Sequence, residues 1–376
     1  MAGNPVKRIA IIVGTRPEAI KMAPVIQALA KSKSLVPLVI STSQHRHMVE
    51  QVFQSFGIRA AHELKVMRPS QTLWDLSGRL AVKLGRFFDL NPVAAALVQG
   101  DTSSAFFGGL CAFYHQIPVG HVEAGLRTGN SYAPFPEEMN RTLLGSLARW
   151  HFAPTREAVK RLRHEGVPKN AIHLTGNTVV DALRWMAPRC ESAPLKKLIG
   201  DSAFKRRLIL ITCHRRESLG APMEAVASAL ATVARSHPET VILFPLHPNP
   251  AVRAAILPRL KSIANVILCE PLDYQQFLSC LKHAFLVISD SGGVQEEATA
   301  LGKPVLVLRD QTERQEGVKA GALKLVGTNA RRIIRETHRL LTDPRAYRRM
   351  SQASNVFGDG RSAGRIVAVL EAALNG

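Results

Sequence analysis

Short apolar runs alternate with segments of helical spacing along most of the chain. Arg8-IAIIV-Gly14 has the continuous apolar pattern of a buried strand, "PEAIKMAPVIQALAKS" repeats apolar residues at helical intervals, and "LVPLVIST" returns to strand. The unit recurs as "AAALVQ" (94–99), "TSSAFFGGLCAFYHQ" and "IPVGHVE". It returns as "RLILITC" (207–213), "SLGAPMEAVASALATVARS" and "TVILFPLH", then as "AFLVIS", "VQEEATAL" and "PVLVLR". Such alternation predicts parallel sheets covered by helices on both faces. The periodicity breaks near 170–206, where Pro188, Pro194 and "SAPLKKLIGDSAFKRR" interrupt it. The pattern therefore predicts an α/β chain of two doubly wound domains facing a cleft, with ligands beyond the carboxyl ends of the strands.

Composition narrows the class. An apolar content of 46% over 376 residues supports two cores of ordinary size. No apolar run approaches the ~20 residues that span a bilayer, and the start of the chain lacks a signal peptide's apolar stretch. The five cysteines form no CxxC pair, which suggests neither a zinc site nor a disulfide framework and points to a cytoplasmic protein with reduced thiols. The balance of 49 Lys+Arg against 29 Asp+Glu gives a net +20. That charge allows non-specific binding of anionic partners. The basic residues are dispersed, however, and their densest stretches, 156–169 and 331–349, alternate with Ile and Leu as amphipathic helices do. With only 6% aromatics and no aromatic interleaving, specific nucleic-acid recognition is disfavoured.

Candidate chemistry gathers at predicted strand ends. "ISDSGGVQEEATALGKP" runs from a strand into Asp290-Ser291-Gly292-Gly293, and the spacing predicts a helix from about Val294. Glycines at a helix start let backbone amides approach a phosphate or diphosphate. Glu296 and Glu297 then fall in the first turn, where one acid favours the helix dipole and the second could accept ribose hydroxyls. "VGTRPEAIK" aims Arg16 and Lys21 at one cleft mouth, and "QGDTSSA" places Asp101 before a helix, where it could serve as a cap. "HVEAGLRTGN" contributes His121, Glu123 and Arg127, and "SYAPFPEEMNR" contributes Glu137 and Glu138. "ITCHRRES" and "FPLHPNP" add His214, Arg215, Arg216 and His247. Acids, histidines and cations at strand ends suit proton-transfer chemistry on an anionic substrate.

In order along the chain, "GTRPEAIKMAPVI", "QHRHMV", "QGDTSSA", "PVGHVEAGLRTGNSYAPFPEEMNR", "GNTVVDAL", "HRRES", "DSGGVQEEATALGKPVLVLRDQTER" and "FGDGRSAGRI" closely resemble the motifs of the non-hydrolysing UDP-N-acetylglucosamine 2-epimerases, from about residue 8 to 370. The resemblance implies a GT-B-type architecture of two Rossmann-like domains, 1–175 and 176–355, with the last helix, about 356–376, crossing back to the first. It implies a homodimer that interconverts UDP-GlcNAc and UDP-ManNAc with no metal, nicotinamide or other cofactor. It carries Asp101, Glu123 and Glu137 over as acid–base carboxylates, with His214 near the diphosphate and also implicated in catalysis. Arg16 and Lys21 would hold phosphate or stabilise the separated intermediate, and Ser291, Gly292 and Gly293 would cradle the diphosphate. Glu297 would accept the ribose hydroxyls, Phe277 would pack near uracil, and Arg314 would line the sugar side.

Some positions depart from the family pattern. Leu272 stands where many relatives carry a polar residue beside uracil. Gln44, Glu138, Arg215 and His247 match a second, regulatory UDP-GlcNAc site, whereas His47 and Ser70 replace a Gln or Glu and an Arg there. Three alternatives stay open: a 2-epimerase of another UDP-2-acetamido sugar such as a 2,3-diacetamido uronate, a hydrolysing 2-epimerase, and a non-catalytic basic binding protein on this scaffold.

Overall fold

The computed structural model describes residues 6–215, 218–353 and 355–375. Two compact units result: Met1–Trp185 with Gly358–Gly376, and Met186–Phe357.

The first unit holds strands β1 (Lys7–Val13), β2 (Leu35–Ser41), β3 (His62–Glu63), β4 (Ala95–Gln99), β5 (Val119–Val122), β6 (Trp150–Ala153) and β7 (Ile172–Leu174). Its helices are α1 (Arg16–Leu29), α2 (Arg46–Ser55), α3 (Leu73–Leu90), α4 (Ser103–Tyr114), α5 (Glu137–Leu147), α6 (Arg156–His164) and α7 (Thr178–Met186). The sheet is parallel in the order β3-β2-β1-β4-β5-β6-β7. The apolar run of β1 is continuous because both of its faces are covered: Ile9, Ala10, Ile11, Ile12 and Val13 are fully buried.

The second unit holds helices α8 (Ala193–Ile199), α9 (Asp201–Phe204), α10 (Ala221–Ser236), α11 (Pro250–Leu260), α12 (Tyr274–His283), α13 (Gly292–Ala300), α14 (Gln315–Lys319), α15 (Ala330–Thr342) and α16 (Pro344–Ser351). Its strands are β8 (Arg207–Thr212), β9 (Thr240–Pro245), β10 (Val266–Cys269), β11 (Leu286–Ser289), β12 (Val305–Val307) and β13 (Leu323–Leu325). They form a parallel sheet in the order β10-β9-β8-β11-β12-β13 around a core that includes Ile209, Ile211, Phe244 and Ile288. The chain ends in α17 (Ser362–Asn375), which belongs to the first unit and packs on α1.

In both sheets the strand order reverses direction beside the first strand, between β1 and β4 and between β8 and β11. These are the switch points at whose carboxyl ends doubly wound sheets hold ligands. Helix α7 lies almost entirely in the first unit, so the division falls after this helix and not at 175/176 as the sequence suggested. The reason is local: the buried Asp181 carboxylate on α7 accepts hydrogen bonds from the Ser362 and Ala363 amides at the start of α17, at 3.1 and 2.9 Å. That ties α7 to the returning helix.

His121 on β5 faces His151 on β6 in register, and both are buried. Burial pushes the His121 imidazole down to about 3 and that of His151 down to about 4, with Arg127 and Arg141 adding repulsion at His121. Nε2 of His121 donates to the Gly100 carbonyl at 2.7 Å. In the unfolded chain both rings titrate near 6.5, so below that pH the unfolded state binds more protons than the native one. These two rings therefore withdraw stability as the pH drops from about 6.5 towards 3, His121 by about 2 kcal/mol at about pH 5. The buried Glu18, whose carboxyl is raised to about 7, takes up its proton in the native state over the same range and offsets a similar amount. Urea midpoints at about pH 7 and pH 5 check this. The variant His121→Gln should be about 2 kcal/mol more stable at about pH 5, relative to about pH 7, than the parent is, and an unchanged pH dependence would contradict it.

Candidate active site

At the first switch point, β1 delivers Gly14, Thr15 and Arg16, and β4 delivers Gly100 and Asp101. Glu18, buried one turn into α1, accepts from the Gly14 amide at 3.1 Å and from the Thr15 amide and hydroxyl, both at 2.7 Å. Its other oxygen accepts from the Thr102 hydroxyl at 2.8 Å. Burial pushes the Glu18 carboxyl up to about 7 against these hydrogen bonds. The N-terminus of α1 is thus capped by its own third residue, beside the half-buried Arg16.

The cap of α4 is Thr102, whose hydroxyl accepts from the Ala105 amide at 3.0 Å, so Asp101 is not the cap its position suggested. Its carboxylate instead pairs with the Arg141 guanidinium, and its backbone carbonyl accepts from the Asn140 side chain at 2.9 Å. Helix α5 therefore clamps Asp101 from both ends of the residue. Glu137, half-buried, begins the same helix.

Glu123 follows β5 in a left-handed conformation, φ 66°, unusual for a residue with a side chain. It is buried, and Lys21 Nζ lies 2.5 Å from its Oε1. Asn177 donates to the same oxygen at 3.2 Å, and Gln99 donates to the other. His121 is buried as a neutral ring, and Arg127 pairs with Glu165 at 2.7 Å, so neither joins this group.

In the second unit, Asp290 at the end of β11 is fully buried. Its carboxylate accepts from the amides of His214 and Arg215 at 2.7 and 2.8 Å and lies 3.4 Å from His214 Nδ1. Asp290 thereby fixes the loop after β8. The exposed His214 ring stacks on His247, centroids 5.4 Å apart. Arg216 lies outside the described residues. Helix α13 begins at Gly292, two residues earlier than the spacing suggested, with Ser291 as its cap residue and no side-chain cap among the described residues. Unlike α1, it does not fill its own N-terminus. Glu296 and Glu297 consequently fall in the second turn, beyond the reach of a simple dipole explanation.

Glu296 accepts from Arg314 Nε at 2.9 Å, and Arg314 also reaches Glu313 at 3.2 Å. Burial opposes ionisation of Glu313, but Arg314 and Arg309 outweigh it and hold the carboxyl well below the usual range. Arg314 is thus pinned beneath the first glycine of the loop. A Cβ at Gly292 would stand 2.8 Å from the guanidinium carbon, whereas one at Gly293 would meet nothing within 4 Å. Gly292→Ala should therefore cost about 1–3 kcal/mol. Gly293→Ala should leave thermal stability unchanged, and equal melting shifts for the two variants would contradict this geometry. Glu297 is buried on the same helix, Phe277 is buried on α12, and Leu272 is half-buried just before the Asp273 cap of α12.

The residues matched to a regulatory site fall in both units. Gln44, half-buried, accepts from Ser104 at 2.9 Å, and His47 is exposed. Glu138 is buried, accepts from the Thr128 and Gly129 amides at 2.9 Å, and lies 3.3 Å from Arg141. Its carboxylate is thereby engaged within the unit. Burial pushes the thiols of Cys111 and Cys269 up to about 11 and that of Cys280 to about 12, which removes them as nucleophiles. Among the described residues no group of three or more His, Cys, Asp or Glu side chains could hold a metal ion.

Glu18, Gln99, Asn177, Arg141 and Asp290 organise these groups, and the sequence reading assigned a role to none of them. Two parallel doubly wound sheets bring acids, cations and an uncapped glycine helix start to their switch points. Over residues 27–371 the chain matches the family described as UDP-N-acetylglucosamine 2-epimerase, and it belongs to that family. It is 47% identical over 369 residues to the UDP-N-acetylglucosamine 2-epimerase of Yersinia pestis, covering 97% of this chain and 98% of that protein. The crystal structure of UDP-GlcNAc 2-epimerase from Neisseria meningitidis bound to UDP-GlcNAc superposes with a TM-score of 0.92 at 41% identity, covering 96% of this chain and 99% of that one. The S. aureus MnaA–UDP co-structure gives 0.92 at 41% identity, covering 98% and 97%.

Proposed function

We propose that this chain interconverts UDP-GlcNAc and UDP-ManNAc by epimerisation at C2. A carboxylate takes the C2 proton while the C1–oxygen bond breaks, giving 2-acetamidoglucal and UDP. UDP then re-forms the C1 bond, and a proton returns to the opposite face of C2. No net oxidation occurs and no cofactor is consumed. Asp101, Glu123 and Glu137 are the acid–base groups, because each carboxylate stands at a strand end or helix start of the first unit. Arg16 and Lys21 offset the negative charge that builds up as UDP separates. Ser291, Gly292 and Gly293 offer amides to the diphosphate, His214 lies beside it, and Glu297 accepts the ribose hydroxyls. Phe277 and Leu272 flank uracil, and Arg314 borders the sugar.

The observation that carries this reading is the buried Glu123–Lys21 pair on a left-handed backbone: an acid and a cation kept in one fixed geometry, as proton abstraction beside a departing anion requires. Separation of the nucleotide sugars after incubation with UDP-GlcNAc tests it. UDP-ManNAc should accumulate to an equilibrium mixture. Free ManNAc with UDP would mean hydrolysis, and no conversion would point to another UDP-2-acetamido sugar.

The same proposal includes a homodimer. Trp74 is 86% exposed and Val82 54% on α3, and Phe113 is 53% and Tyr114 73% exposed on the adjacent α4, an apolar face suited to a second copy of this chain. It also includes a cytoplasmic location. The five cysteines are free thiols, and among the described residues no helix is long and apolar enough to cross a membrane.

A further inference from the structure

The chemistry above uses little of the net +20. Part of the remainder is concentrated on α15 and α16, which follow one another and pack together. Arg331, Arg332, Arg335 and Arg339 on α15 and Arg345, Arg348 and Arg349 on α16 are all exposed, and no exposed position on either helix is acidic. Glu336 is buried and shared by Lys324 at 2.6 Å, Arg335 at 3.1 Å and Arg339 at 3.5 Å. Asp343 is half-buried and caps α16 through the Arg345 and Ala346 amides.

Several arginines elsewhere each pair with an acid of their own: Arg46 with Glu50, Arg253 with Glu270, Arg259 with Glu224 and Arg365 with Asp359. Here, by contrast, like charges recur four residues apart at 331/335, 335/339 and 345/349. Each such pair destabilises a helix slightly. The helices persist because Ile333, Leu340, Leu341 and Ala346 are anchored in the core.

Seven arginines and no lysine on this face suit phosphate, which the planar guanidinium meets with two hydrogen bonds. No large apolar or aromatic side chain is exposed on either helix, so there is no platform for unstacked bases and no wedge for the bilayer interior. Neither helix exposes an asparagine or glutamine to read base edges. Four to eight basic residues on an amphipathic helical surface match the attraction of an anionic leaflet. We propose that the arginine face of α15 and α16 docks the protein on an anionic phospholipid surface, at the headgroup phosphates and without insertion.

Co-sedimentation of the full chain with vesicles tests this. One set contains equal parts phosphatidylglycerol and phosphatidylcholine, and the other phosphatidylcholine alone. Binding should require phosphatidylglycerol and weaken steeply as salt shortens the screening length from about 10 Å towards 3 Å. The triple variant R331Q/R345Q/R349Q should bind roughly a hundredfold more weakly, at about a factor of five per arginine. It should also melt no lower than the parent, since it removes like-charge repulsion, and keep its activity on UDP-GlcNAc. Equal binding to both vesicle types, no binding to either, or a triple variant that binds like the parent would overturn the proposal. Duplex DNA bound in place of vesicles would also overturn it and assign the face to nucleic acid.

Discussion

Glu123→Gln should lower kcat roughly a hundredfold to ten-thousandfold, the range that a positioned acid–base group supplies. The fold should survive at a cost of about 3–5 kcal/mol, because the buried Lys21 ammonium loses its counter-charge. The amide keeps the shape of the carboxylate, its oxygen can still accept from Lys21 and Asn177, and Gln99 can turn its own amide to present oxygen. What is lost is the ability to carry a proton. Melting temperature and kcat measured on the same preparation separate the two effects. A variant with parental kcat would remove Glu123 from the chemistry, and a kcat that falls only in proportion to the folded fraction would make its role structural.

Lys21→Met should produce the largest loss of stability. The pair is buried on both sides, with side-chain exposures of 6% and 6%, so removing the cation strands a carboxylate away from water. Breaking such a pair from one side costs about 3–5 kcal/mol, whereas replacing both partners costs far less. Urea unfolding of Lys21→Met, Glu123→Gln and the double variant therefore forms a cycle. The double variant should recover much of what Lys21→Met loses. Simple additivity would mean that the two groups are not coupled as the 2.5 Å contact indicates.

Strands with apolar runs were readable in the sequence whatever their length, the three-residue β12 included, whereas the 18-residue α3 was not read. β1, β8 and β9 carry continuous apolar runs because both faces are covered, so periodicity found them. β6 and β7 are four and three residues long and contain His151 and His173, which interrupt the apolar signal. The single amphipathic stretch at 331–349 is in fact two helices, divided where Asp343 ends α15 and caps α16.

At the site, strand-end acids and glycines were legible because loops after parallel strands keep their chemistry in sequence order. The residues that orient them were not, because they arrive through tertiary contact. Arg141 lies 40 residues from Asp101, Asn177 lies 54 from Glu123, and neither spacing is a local signal. Glu18 is different: Thr15 followed three residues later by Glu18 is a capping-box signature that could have been read directly. The start of α13 was misplaced because two glycines look like loop, whereas here they form the first helical positions and leave room for Arg314.

The account stands most directly on the fate of the C2 hydrogen. Proton NMR of the enzyme with UDP-GlcNAc in deuterated water should show the C2 proton signal disappearing as UDP-ManNAc forms, in both epimers and at a rate tied to turnover. UDP-ManNAc formed with its C2 proton retained would contradict removal of that proton by one acid–base group and return of another to the opposite face, and with it the roles given to Asp101, Glu123 and Glu137.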